Sequence, residues 1–65
     1  MNDEPSPPLL YDFDRTAHEL GGLSTRQVYR LVDQGVITKV RIGARSFIVA
    51  ASVHAYVAKL EAAGQ

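Results

Sequence analysis

The tetrapeptide Ser24-Thr25-Arg26-Gln27 constrains this chain more than any other segment, because it fixes where a helix begins. A serine followed three residues later by glutamine is a capping box. The hydroxyl accepts the Gln27 N–H while the Gln27 side chain reaches back to the N–H of Ser24. Leu23 and Val28 are spaced for the apolar contact that sets the entry angle. From that start Val28, Leu31 and Val32 fall on one face at 100° per residue, with Arg26 and Arg30, one turn apart, on the opposite side. Gly35 supplies the stop. The spacing predicts a helix from about Thr25 to Gln34.

Upstream, Asp12 is placed to cap a helix starting near Phe13, with Asp14 as the alternative cap. Phe13, Ala17 and Leu20 give it a short apolar stripe before Gly21-Gly22 ends it. Downstream, Val36 to Val49 are rich in β-branched residues and alternate in part around Gly43-Ala44-Arg45, which reads as a β-hairpin. Val40, Ile42, Phe47 and Val49 are the candidates for its core face; Lys39 and Arg41 then point away from the core and Arg45 sits at the tip. From about Ala51 to Ala63, Val53, Tyr56, Val57 and Leu60 recur at helical spacing, with Ser52 or a nearby backbone group as the cap. Residues 1–9 carry Pro5, Pro7 and Pro8 among polar neighbours and are expected to form a disordered tail. That leaves 10–63 as one domain.

A chain of 65 residues has no room for a cleft between domains. At this size only ~60% of the unfolded surface is buried, so nearly every apolar residue is needed for the core and function must lie on the outside. The absence of cysteine excludes disulfides and thiolate metal sites, and two histidines are too few for a zinc site. His18 and His54 lack a partner at ligand or catalytic spacing, and Ser46 and Ser52 lack a base. No enzyme, cofactor or small-molecule substrate is expected. No apolar run approaches the ~20 residues that cross a bilayer, and Met1-Asn2-Asp3-Glu4-Pro5 is acidic where a signal peptide is basic. A soluble, cytoplasmic protein is expected.

Formal net charge is zero, against the usual basic balance of a nucleic-acid binder. The distribution reverses that impression. Residues 1–20 carry Asp3, Glu4, Asp12, Asp14 and Glu19 against Arg15, whereas residues 21–50 carry Arg26, Arg30, Lys39, Arg41 and Arg45 against Asp33. Short helix, tight turn, capped helix, basic two-stranded hairpin and C-terminal packing helix follow the order of a winged helix-turn-helix, a mainly α fold with a small hairpin.

The run from Leu10 to about Glu61 resembles the excisionase-type, MerR-like helix-turn-helix domains of phage and integrative-element proteins. Ala17 and Leu20-Gly21, Ser24 with Val28-Tyr29-Arg30-Leu31-Val32, Gly35-Val36-Ile37, Val40-Arg41-Ile42-Gly43-Ala44-Arg45, and Val53-His54-Ala55-Tyr56-Val57 carry the resemblance. Arg15 stands where the family usually has glutamate, and Gly21-Gly22 lengthens the turn by one residue. The resemblance implies a recombination directionality factor of a bacterial cell or phage-infected host. Such a factor binds repeated attachment-site DNA cooperatively and bends it, helping a tyrosine integrase to excise; it is a monomer in solution that self-associates on DNA.

Most surface arginines are merely solvated. Here Arg26 and Arg30 lie on the outer side of a helix that follows a helix and a turn, the geometry in which N-terminal residues reach base edges. Ser24, Thr25 and Gln27 on the same first turn are further candidates, the cap competing for Gln27. Tyr29 on the flank is placed either to pack on the hairpin or to touch a phosphate. Lys39, Arg41 and Arg45 could simply protect an edge strand from aggregation, but three like charges on one hairpin favour phosphate or minor-groove contact. Two rival readings are a small MerR-like transcriptional regulator and, from another class, a protein–protein adaptor docking its basic face on an acidic partner.

Overall fold

A computed structural model describes residues 8–64, which form three helices and a three-stranded antiparallel sheet. The order is β1 (Leu10–Tyr11), α1 (Phe13–Glu19), α2 (Thr25–Asp33), β2 (Lys39–Ile42), β3 (Arg45–Val49) and α3 (Ala50–Ala63). Of the tail expected over 1–9, residues 1–7 lie outside the described residues. The Leu9 carbonyl accepts the Ala50 N–H at 2.9 Å, so the tertiary backbone contacts begin there.

Local side-chain chemistry sets the bounds of α1 and α2. The Asp12 carboxylate accepts the Arg15 N–H at 2.6 Å, so Asp12 rather than Asp14 is the cap. Thr16, fully buried, donates its hydroxyl to the Asp12 carbonyl at 2.9 Å. At the far end the N–H groups of Gly22 and Leu23 converge on the Ala17 carbonyl at 2.9 and 3.0 Å. That reversal requires φ of +97° at Gly21 and +86° at Gly22, which a side chain would strain. In α2 both halves of the capping box form: Gln27 N–H donates to Ser24 Oγ at 3.2 Å, and Ser24 N–H donates to Gln27 Oε1 at 3.1 Å. Leu23 packs against the cluster that contains Val28, as the apolar spacing predicts. The helix closes where Gly35 and Val36 donate to Val32 and Leu31.

The cap gives a quantitative expectation. Ser24→Ala should cost about 1 kcal/mol and lower the thermal midpoint by roughly 4–8 °C, read by circular dichroism. Ser24→Asp, which can still accept the Gln27 N–H, should recover most of that loss.

The sheet differs from the sequence expectation in extent and in facing. A third strand, β1, pairs with β3 through Leu10–Val49 and Tyr11–Ile48, giving the order β1-β3-β2. β2 begins at Lys39 rather than Val36, because Ile37 turns into the core and Thr38 is held by α3. The Thr38 N–H donates to Ser52 Oγ at 3.0 Å, and its carbonyl accepts the Val49 N–H at 2.9 Å. The turn is the two residues Gly43-Ala44, with positive φ (+60°) at Gly43 alone, the pattern of a type II′ hairpin. Arg45 is therefore the first residue of β3.

Lys39 pairs with Ile48, Val40 with Phe47, Arg41 with Ser46 and Ile42 with Arg45. Residues directly opposite one another share a face, so Ile48 and Tyr11 define the core side and Lys39 and Arg41 leave the sheet on that same side. The expected core face of Val40, Ile42, Phe47 and Val49 is corrected. Those four occupy the other face, where Ile42 is 59% exposed and none is fully buried, whereas Ile48 is 0% exposed.

The core consists of Tyr11, Ala17, Val28, Ile37, Ile48, Ala50 and Val53, with Phe13, Leu20, Leu23, Leu31, Val32 and Tyr56 packed around it. The Tyr11 hydroxyl and His54 Nε2 lie 3.1 Å apart, tying β1 to α3. α3 starts one residue earlier than its spacing suggests, with Val49 in the capping position. Ser52 does not cap it; its hydroxyl donates to the Val49 carbonyl at 2.6 Å while accepting from Thr38. Leu60, expected on the inner face, is half exposed because α3 runs past the body it packs on. No helix among the described residues is long and apolar enough to cross a membrane.

Candidate nucleic-acid interface

The capping box occupies two of the candidate residues. Ser24 Oγ and Gln27 Oε1 are both engaged in the cap at the start of α2, and Thr25 and Arg26 are exposed beside them. The box leaves the N–H groups of Thr25 and Arg26 without an intrahelical acceptor, the usual condition of a helix N-terminus and one that favours an anion. Arg26 and Arg30 are exposed on the side opposite fully buried Val28, and neither makes an ion pair among the described residues. Tyr29 is half exposed, and its ring stacks on Phe13 of α1, with centroids 4.5 Å apart and planes at 28°.

On the hairpin, β2 is an edge strand and its two cations point to the side on which the helices pack. An edge strand tolerates this because long aliphatic stems carry the charge out past the apolar layer. Arg41 is held rather than free: its Nε donates to the Gly43 carbonyl at 3.0 Å, which draws the guanidinium toward the turn. Arg45 lies on the other face, its guanidinium over the Phe47 ring at 5.0 Å from the centroid. The turn thus carries a preorganised arginine on each face of the hairpin, and Lys39 lies two residues before Arg41 on the same face. None of the three makes an ion pair among the described residues.

The acidic residues are placed elsewhere. Glu19 binds Arg15 at 3.0 Å, Asp12 is spent on its cap, and Arg15 also covers the Tyr11 ring at 4.9 Å. Asp33 is exposed at the last turn of α2, away from its N-terminus. Arg15 therefore belongs to the packing of α1 on β1, whereas the five cations of α2 and the hairpin, like Lys59 of α3, make no ion pair among the described residues. The α1–α2 stack is the feature that sequence spacing missed. Phe13 was assigned to the apolar stripe of α1, and no periodicity within one helix reports an aromatic contact with the next.

Shallow grooves are present among the described residues. One, of about 230 Å³, lies between the end of α2 and α3 at Val36, Tyr56 and Lys59. Another, of about 390 Å³, lies beside Leu9, Leu10, Val49 and His54. Neither gathers a nucleophile with a base, and the described residues contain no group of three or more side chains able to hold a metal ion. Compared with protein families, curated proteins and solved structures, the chain matches none.

Proposed function

We propose that the chain is a sequence-specific module for double-stranded DNA, a winged helix-turn-helix in which α2 is the recognition helix and the β2–β3 hairpin is the wing. The observation that carries this reading is the state of five cations. Arg26, Arg30, Lys39, Arg41 and Arg45 are all exposed on α2, β2 and β3 and pair with no carboxylate among the described residues, in a protein whose net charge is zero. Five of the seven cations fall between residues 26 and 45 against Asp33 alone, and such a basic segment in a neutral chain favours a polyanion. The rigid, capped start of α2 behind the Gly21-Gly22 turn suits insertion into the major groove, where a side chain must meet base edges in a fixed register. The cations of the wing suit the neighbouring phosphates.

Under this reading the resemblance to excisionases supplies the purpose: attachment-site DNA is bound cooperatively and bent so that a tyrosine integrase excises. A single module of this size contacts few base pairs, and useful affinity then comes from neighbouring copies on DNA or from the integrase. The protein itself is proposed to be a monomer until DNA aligns it.

Fluorescence anisotropy on labelled duplexes over a salt series tests the DNA reading. With about five phosphate contacts, log affinity should fall against log salt with a slope of roughly −4.5. No binding to duplex DNA at low salt, together with retention by an acidic protein surface, would overturn it in favour of the adaptor.

A further inference from the structure

We propose that Phe13 is a positioning residue for DNA binding. It holds the Tyr29 ring so that the phenolic hydroxyl donates to a backbone phosphate at the edge of the groove that α2 enters. The inference rests on the DNA-binding reading and adds to it an anchor on the α1–α2 junction.

Phe13 is itself half buried and packed against the core, so its ring is a fixed platform rather than a mobile surface group. Tyr29 lies on that platform at 4.5 Å, with half of its surface still open to solvent. Its hydroxyl has no hydrogen-bond partner among the described residues, in contrast with Tyr11, whose hydroxyl is used by His54. Stacking accounts for the ring and leaves the polar end unspent.

The position along α2 names the acceptor. Tyr29 follows Arg26 by three residues and Thr25 by four, so it borders both on the helix surface. At 100° per residue it is displaced about 60° from Arg26 and about 100° from Arg30, toward the flank of the outer face. When a helix lies in the major groove, the middle of that face meets base edges and its flanks meet the phosphate walls. A phosphodiester oxygen is an acceptor only, and a phenol is a ready donor. Restraining the ring before DNA arrives lowers the entropy lost on binding.

The contact has a signature distinct from that of an arginine. The phenol is neutral, so it adds affinity without releasing a counterion, and a phosphate contact carries no base preference. Tyr29→Phe, which keeps the ring and its stack, should weaken binding about tenfold on a selected target duplex and on a random-sequence duplex alike, with the salt slope unchanged. Phe13→Leu should weaken binding in the native background and have no further effect on affinity in the Tyr29→Phe background, while lowering the melting temperature in both. Phe13→Tyr, which keeps an aromatic ring under Tyr29, should bind as the native chain does.

Outcomes separate the inference from the reading beneath it. If the native chain binds both duplexes and Tyr29→Phe binds as tightly, the hydroxyl contact is overturned while DNA binding stands. If Phe13→Leu weakens binding equally in both backgrounds, Phe13 acts through folding alone and the positioning role is overturned. If the native chain binds neither duplex at low salt, the inference and the DNA reading fall together. Tyr29→Phe decides the role of the hydroxyl even where a Phe13 variant does not fold.

Discussion

Ile48→Ala is expected to leave much of the population unfolded at 37 °C. Ile48 is 0% exposed on β3, the central strand, and pairs with Tyr11 on one side and Lys39 on the other. It joins the sheet to Ala17 of α1, Val28 of α2 and Val53 of α3 in one core. Truncating a buried isoleucine to alanine costs about 2–5 kcal/mol, made up of lost transfer energy and the cavity left behind. A domain of this length holds roughly 3–10 kcal/mol in total, with no disulfide to support it. Ile42→Ala is the control: at 59% exposure it should change stability by less than about 1 kcal/mol. Urea titrations followed by circular dichroism compare the two. A large loss at Ile42 with little at Ile48 would mean that the opposite face of the hairpin is the buried one.

That comparison bears on the part of the fold the sequence misstates. The bounds of α1 and α2 are legible because Asp12, Ser24 with Gln27, Gly21-Gly22 and Gly35 act on backbone groups within a few residues, so the chemistry and its spacing are both local. The facing of the hairpin is not local. In β2, Lys39 and Arg41 alternate with Val40 and Ile42, and hydrophobic alternation taken alone puts the valine and isoleucine inside. β3 has apolar residues on both sides, Ile48 on one and Phe47 and Val49 on the other. The choice between them is made by two-residue β1, which adds Tyr11 to the Ile48 side, and by the helices that cover it. A strand of two residues is too short to show any period, and its partner lies nearly forty residues along the chain. The charges on the inner side are accommodated only because β2 is an edge, a feature of topology rather than of sequence.

The candidate interface divides in the same way. Arg26 and Arg30 are placed correctly by the α2 period, since the face opposite Val28, Leu31 and Val32 is fixed once the start at Ser24 is fixed. The hairpin cations are identified by charge, but their directions are not. Arg41 and Arg45 belong to opposite faces of the hairpin, each drawn toward a local partner, the Gly43 carbonyl for one and the Phe47 ring for the other. The two arginines therefore flank the turn instead of lining one side of it. Under the proposed DNA-binding reading, a hairpin so arranged suits phosphate contact from either side of a groove, with little scope for reading bases.

Under the proposed function, Arg26→Ala and Arg45→Ala should accordingly weaken DNA binding in different ways. Arg26 emerges from the rigid first turn of α2, and an arginine at such a position bonds guanine O6 and N7 together, a pair worth ~1–3 kcal/mol of discrimination. Its removal should cost about 10- to 100-fold on the preferred sequence and much less on random duplex, so that the ratio between the two collapses. Arg26→Lys should recover only part of that ratio, because a single ammonium cannot make the paired contact. Arg45 stacks on Phe47 beside the turn and presents its charge without a fixed base partner. Removing it should weaken the preferred and random duplexes by the same factor and make the salt slope shallower by about 0.9, the share of one phosphate. Measuring both duplexes over one salt series decides the matter. If the two variants lose affinity in the same proportion on both duplexes, α2 and the hairpin do not divide the work between base reading and backbone attachment, and the assignment of α2 as the recognition helix fails with it.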